Sequence, residues 1–149
     1  MFHKVLVATG GSPWSDQAVK YAIGLVKDYD LPLVILHVIT DAPPYFIAEA
    51  GASVDQVLES SEEVGRGILA EAVRHADEVG IASEAELAWG RVPDVICRVA
   101  QERACDLIVV GSRGLTGFKR LMLGSISNAV AAKAPCPVLV VTWYGNRAS

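Results

Sequence analysis

Between residues 111 and 125 the chain sets Gly111, Ser112, Gly114, Gly117, Gly124 and Ser125 around the cations Arg113, Lys119 and Arg120. A glycine lets ligand atoms approach its amide without interference from a Cβ. A Gly-Ser step at a helix start adds a hydroxyl beside unpaired N–H groups and the positive end of the helix dipole. The chemistry such a run suits is the holding of a phosphate. Read in isolation, it fits equally a solvated turn whose basic side chains point outward.

Charge favours the phosphate. All 17 acidic residues lie at or before Asp106, while Arg113, Lys119, Arg120, Lys133 and Arg147 follow it without a single carboxylate. A cationic glycine-rich loop on a chain of net charge −4 is a local anion trap. The sequence pI of about 5.3 argues against nucleic acid as a partner, since a polyanion needs a broad basic face.

The elements that must position this loop follow from hydrophobic pattern. Apolar runs at about 4–9, 32–39, 106–110 and 137–141 read as strands, with 32–39 rich enough in Val, Ile and Leu to be buried on both faces, and the more polar 83–89 as a strand at a sheet edge. Helical periodicity fills Pro13 to about Lys27, about 54–79, Pro93 to about Arg103 and Ser125 to about Lys133. Ser12 before Pro13 is a helix start, with an N-cap hydroxyl followed by a residue whose missing N–H costs nothing there. Strict alternation predicts an α/β fold: one domain over 1–149, with an open five-stranded parallel sheet, Rossmann-like, in the order 3-2-1-4-5 and helices on both faces. Ligands of such sheets bind beyond the carboxyl ends of the strands, where the order reverses. The turn Thr9-Gly10-Gly11-Ser12 after strand one would there face the 111–124 loop after strand four.

Composition bounds the rest. With 52% apolar residues the chain can bury a core without staples. Cys97, Cys105 and Cys136 are widely spaced and read as small buried hydrophobes of a reduced, cytoplasmic protein. The chain enters its first strand with no leader-like apolar stretch, and no apolar run approaches the roughly 18 residues that span a bilayer. No membrane association is expected.

Two phosphate motifs are absent: no glycine precedes a lysine, which removes GxxxxGK[ST], and GxGxxG does not occur. The Thr9–Ser15 turn is similar to the SGGxDS loop of pyrophosphatase-type ATP enzymes, but Pro13 and Trp14 replace its Asp and Ser. The pattern G-x2-G-x9-G-[ST] is met in full by Gly111, Gly114, Gly124 and Ser125. With it, and with Val5 to Ser12, His37-Val38-Ile39, Asp106 to Gly114, Leu123 to Ser127 and Cys136 to Val141, the chain resembles the ATP-binding subset of the universal stress protein family. The resemblance covers nearly the whole chain. It implies that Gly111, Ser112 and Gly114 wrap the ribose and phosphates, and that Gly124, Ser125 and the Ile126 amide hold the outer phosphates; Arg113 between them reads equally as a phosphate partner or as a solvated side chain. Ala8, Thr9 and Gly10 of the first loop, with Val38 and its neighbour Ile39, would lie along the nucleoside. The implied ligand is ATP, or AMP or ADP, with Mg²⁺ carried on the phosphates. The implied assembly is a homodimer through the last strand, 137–141, whose apolar edge is a liability unless covered. One departure stands out: Gly10 occupies the place where ATP-binding relatives carry Asp. Asp16 and Asp41 are the nearby carboxylates able to substitute, although Asp16 also suits the first turn of a helix.

Several residues admit two readings. His37 ends a strand facing the crevice and either touches a base or serves as a hydrogen-bonded structural group. Lys119 and Arg120 read as surface charge, Trp14 and Trp89 as packing groups, and Trp143 as a dimer contact. Residues 41–53, with Pro43-Pro44 and Tyr45-Phe46-Ile47, read as a lid or partner surface. Glu59, Glu62 and Glu63 read as a solvated helix face. Three functions remain open: a nucleotide-dependent regulator, a slow ATP hydrolase, or a nucleotide-free interaction protein. No base that could orient a water sits in either glycine loop, which disfavours the hydrolase.

Overall fold

The runs of Val, Ile and Leu leave most of the strands no face to turn toward water. In the computed structural model, which describes residues 1–40, 54–112 and 124–142, they form one parallel sheet. Its strands are β1 (Val5–Ala8), β2 (Leu33–Ile39), β3 (Ser83–Trp89), β4 (Leu107–Gly111) and β5 (Val138–Val141), in the order β3-β2-β1-β4-β5. Helices α1 (Pro13–Tyr29), α2 (Val54–Glu78), α3 (Val92–Glu102) and α4 (Ser125–Lys133) alternate with the strands. The architecture and strand order are those expected. Boundaries move by a residue or two: α3 begins at Val92, because Arg91 takes the cap and Pro93 the second helical position, where a missing N–H is equally harmless.

Alternation along each strand sends successive side chains to opposite faces. Val5, Val7, Ile35 and Val109 meet Ala18, Ala22 and Val26 of α1 and Leu69, Ala72 and Ala76 of α2. Leu6, Val34, Leu36, Ile108 and Val110 meet Ile96, Val99 and Ala100 of α3 and Val130 of α4. Leu6, Ile35, Ile96 and Ile108 are fully buried, each contributing about 1.5–3 kcal/mol. The central strands are therefore a stiff platform for whatever their ends carry. Cys105 is buried in the α3/α4 side of this core, as expected, whereas Cys97 and Cys136 are only partly buried against it; all three are free thiols. Burial pushes the Cys105 thiol up to about 11, which keeps it protonated and inert at neutral pH.

The two sheet edges differ in character. On β3, Arg103 clasps Glu86 through Nε and Nη2 (2.9 and 2.6 Å) and Glu84 through Nη1, which covers that edge with charge. β5 carries only Val138, Leu139, Val140 and Val141, and Leu139 is 37% exposed. Among the described residues, no helix is long and apolar enough to cross a membrane.

At the amino ends of the strands, the Asp106 carboxylate accepts from the amides of His3 (2.9 Å) and Lys4 (3.0 Å) and lies 3.0 Å from His3 Nδ1. Desolvation pushes this carboxyl up, but the hydrogen bonds from Lys4 and His3 outweigh it and bring it to about 2. Because the folded value lies below the ordinary 3.8, the stabilisation is complete above that pH and is lost as pH falls through about 2. Asp106→Asn should therefore lose stability relative to the wild type at pH 6, and the gap should close on acidification to pH 2. Urea midpoints of the two proteins across that range would check this; a gap independent of pH would remove the ionised carboxylate from the explanation.

Candidate functional site

β1 runs forward into α1 on one face of the sheet, and its neighbour β4 runs forward toward α4 on the other. The crevice between their carboxyl ends is thus the switch point of the topology. The two expected loops begin there side by side: Thr9 to Ser12 after β1, and Gly111 to Ser112 after β4.

The first loop is held by its own hydroxyls. Thr9, Ser12 and Ser15 are all buried. Ser12 caps α1, accepting from the Ser15 amide at 3.2 Å, with Pro13 at the first helical position as expected. Ser15 Oγ accepts from the Gly10 amide (3.2 Å) and donates to the Ser12 carbonyl (3.0 Å). Gly11 turns the chain at φ +79°, a conformation that favours glycine. Gly10 is different: a Cβ there would meet nothing within 4 Å. Ala8 is half-buried at the end of β1. Val38 is half-buried near the end of β2 and Ile39 is buried. Asp16 lies in the first turn of α1, where its charge complements the helix dipole.

The second loop is pinned at both ends. Gly111 pairs with Val141 in the sheet and turns its bare Cα toward the first turn of α1, where a Cβ would stand 2.7 Å from the backbone carbon and oxygen of Trp14. Its glycine is thereby explained by the approach of α1, which brings the two loops together. Ser112 is buried; its amide donates to Val141 O (2.8 Å) and its carbonyl accepts from the Gly124 amide. Ser127 Oγ lies 3.0 Å from the carbonyl oxygens of both Ser112 and Gly124, so its one proton is shared between them. The chain that leaves at Ser112 thus returns to it at Gly124. Arg113 and Gly114, like Gly117, Lys119, Arg120, Asp41, the 41–53 segment and Trp143, lie outside the described residues.

The two helix starts at this crevice are not equivalent. α1 is closed by Ser12, Ser15 and Asp16. α4 has Gly124 at its cap with no side-chain hydrogen bond and no acidic residue in its first turn. Ser125 and Ile126, the first residues of the helix, are exposed at the positive end of its dipole. A helix start of this kind can accept an anion, and it stands beside a hydroxyl-lined turn at β1. Among the described residues, no group of three or more His, Cys, Asp or Glu could hold a metal ion. Ser15 and Ser127 are the positioning residues that sequence reading passed over. Both stand three residues beyond the cap, at Ser12 and Gly124, and that Ser-x-x-Ser or Gly-x-x-Ser spacing was the available signal.

Residues 1–142 match the Universal stress protein family. Universal stress protein YxiE of Bacillus subtilis is 37% identical over 147 residues, covering 95% of this chain and 99% of its own. The structure of hypothetical protein MJ0577 superposes with a TM-score of 0.83 at 24% identity, covering 98% of this chain and 99% of its own, and supports the fold. A universal stress protein solved in complex with cAMP has a TM-score of 0.71 at 27% identity, covering 94% of this chain and 97% of its own. Fold, loop spacing and sequence agree over nearly the full length, and the chain belongs to the universal stress protein family.

Proposed function

We propose that this is a cytoplasmic stress-response protein that binds an adenine nucleotide across the carboxyl ends of β1 and β4 and acts as a nucleotide-dependent switch. The observation that carries the reading is the uncapped start of α4, which returns to Ser112 while the neighbouring start of α1 is closed. The base would lie beside Ala8, Thr9 and Val38. Ribose and inner phosphates would meet Gly111, Ser112, Arg113 and Gly114, and outer phosphates Gly124, Ser125 and the Ile126 amide. The relative bound to cAMP supports an adenine nucleotide as the ligand class. The proposed ligand is ATP, or AMP or ADP, with Mg²⁺ carried on the phosphates. The apolar edge of β5, set against the charged edge of β3, supports a homodimer through Val138–Val141.

The test is to denature freshly purified protein, identify released nucleotide by mass spectrometry, and titrate stripped protein with AMP and with ATP, with and without Mg²⁺. Saturable binding is expected. Its absence in folded protein would leave the fold as an interaction surface alone.

Gly10→Asp offers a gain-of-affinity test. A Cβ at Gly10 would meet nothing within 4 Å, so the substitution begins without a clash. A charge-assisted contact to ribose hydroxyls or to a phosphate-bound metal is worth about 1.5–3 kcal/mol, so ATP affinity with Mg²⁺ should rise by roughly 10- to 100-fold. Calorimetric titration of variant and parent checks it; equal affinities would mean that the first loop does not reach the ribose or the metal.

A further inference from the structure

One side chain at the crevice reaches across from β2 to β1. His37 Nδ1 lies 2.8 Å from the Thr9 carbonyl oxygen. A carbonyl only accepts, so Nδ1 carries the hydrogen and, in the uncharged ring, Nε2 is the bare nitrogen. The other edge of the ring packs against α2 at Gly65, where a Cβ would stand 2.9 Å from His37 Cδ2 and 2.8 Å from Leu87 Cδ1. α2 therefore carries glycine at the one turn where the imidazole needs room.

The backbone ladder between β1 and β2 ends with the Thr9 amide donating to Leu36 O at 2.9 Å. The imidazole adds one further bond beyond that end, to the Thr9 carbonyl. On the opposite side of the same peptide, the Gly10 amide donates to Ser15 Oγ. Both polar groups of the Thr9–Gly10 peptide are thus committed, one to β2 and one to α1.

We infer that His37 is a positioning residue for the nucleoside: held as the Nδ1–H tautomer, it fixes the plane of the Thr9–Gly10 peptide against which the base and ribose settle. The inference rests on the nucleotide reading above. A peptide fixed before binding spares the ligand the cost of ordering it. Freeing its carbonyl should weaken binding by about the value of one neutral hydrogen bond, roughly three- to tenfold.

The experiment compares His37→Leu, which keeps bulk and loses the donor, with His37→Asn, whose amide can donate from near the position of Nδ1. Three readouts are taken: AMP affinity by calorimetry, melting temperature without ligand, and the ¹⁵N shifts of the His37 ring in the wild type at alkaline pH. The expected result is AMP binding three- to tenfold weaker in His37→Leu, within twofold of wild type in His37→Asn, and ring shifts of the Nδ1–H tautomer. Unchanged AMP affinity in His37→Leu despite a lowered melting temperature would make the histidine merely structural and overturn the inference. So would an Nε2–H tautomer, or an Asn variant more than threefold weaker than wild type. If His37→Leu does not fold, the Asn variant and the tautomer decide. If the wild type binds neither AMP nor ATP, the nucleotide reading falls and this role falls with it, an outcome visible before any variant is made.

Discussion

Gly111→Ala is expected to destabilise the protein by about 2–4 kcal/mol, adding an overpacking penalty of roughly 1–3 kcal/mol to about 1 kcal/mol for a disturbed helix cap. The new methyl would lie 2.7 Å from the carbonyl carbon and oxygen of Trp14 and 3.0 Å from the Ser15 amide nitrogen. These are backbone atoms in the first turn of α1, so no side chain can swing aside. Either the helix start withdraws from β4, loosening the bond between Ser12 Oγ and the Ser15 amide, or the end of β4 leaves its pairing with Val141. Gly10→Ala is the matched control, because its Cβ meets nothing within 4 Å. Urea denaturation should show a clearly lowered midpoint for the first variant and one within about 0.5 kcal/mol of the parent for the second. A Gly111→Ala protein as stable as the parent would mean that α1 does not approach β4 as closely as described. Nucleotide affinity should fall with stability here, since the contact that excludes the methyl is the one that joins the two loops.

That coupling explains which parts of the molecule were legible in the sequence. The strands β1, β2, β4 and β5 announce themselves because their runs are almost wholly apolar, although β5, at the sheet edge, leaves Leu139 partly exposed. β3 announces itself as an edge through Glu84 and Glu86. The start of α4 is legible because a glycine followed by serine at a helix start is a local signal. What sequence could not supply are the contacts between residues far apart in the chain. Gly65 looks like a weak point in a long helix until His37 and Leu87 are seen to fill the space a Cβ would need. His37 reads in sequence more as a hydrogen-bonded structural group than as a base contact, but only the fold identifies its partner, the Thr9 carbonyl 28 residues earlier. Gly111 was assigned to the ligand through the glycine pattern, whereas its missing side chain makes room for Trp14 and Ser15 of α1. Ser15 and Ser127 are ordinary polar residues in sequence, and only burial beside a loop end gives them a task. Periodicity reports burial along one element, and the site is made where elements meet.

The strongest effect on binding is expected from Gly124→Asp, and its sign on stability should be the opposite of its sign on affinity. Gly124 has φ −69° and ψ 162°, an extended conformation that any residue adopts, and it caps α4 without a side chain. Aspartate is among the best residues at such a position and exceeds glycine there by a few tenths of a kcal/mol. Its carboxylate would also complement a helix start that has no acidic group in its first turn. The variant should therefore melt at the same temperature as the parent or slightly above it. The same carboxylate would occupy the amides on which the outer phosphates are proposed to sit, and would add a negative charge within about 4 Å of them. At an effective dielectric of about 20 that repulsion is about 4 kcal/mol. Allowing for screening at an open crevice, ATP affinity should fall by roughly 100- to 1000-fold. Gly124→Asn separates the two causes, because it caps the helix equally well and carries no charge; its loss should be several times smaller. AMP, lacking outer phosphates, should lose less than ATP in the aspartate variant. ATP titration alongside a melting curve reads all of this from one set of samples. A stable Gly124→Asp protein with parental ATP affinity would remove the start of α4 from the binding site and take the proposed nucleotide pose with it.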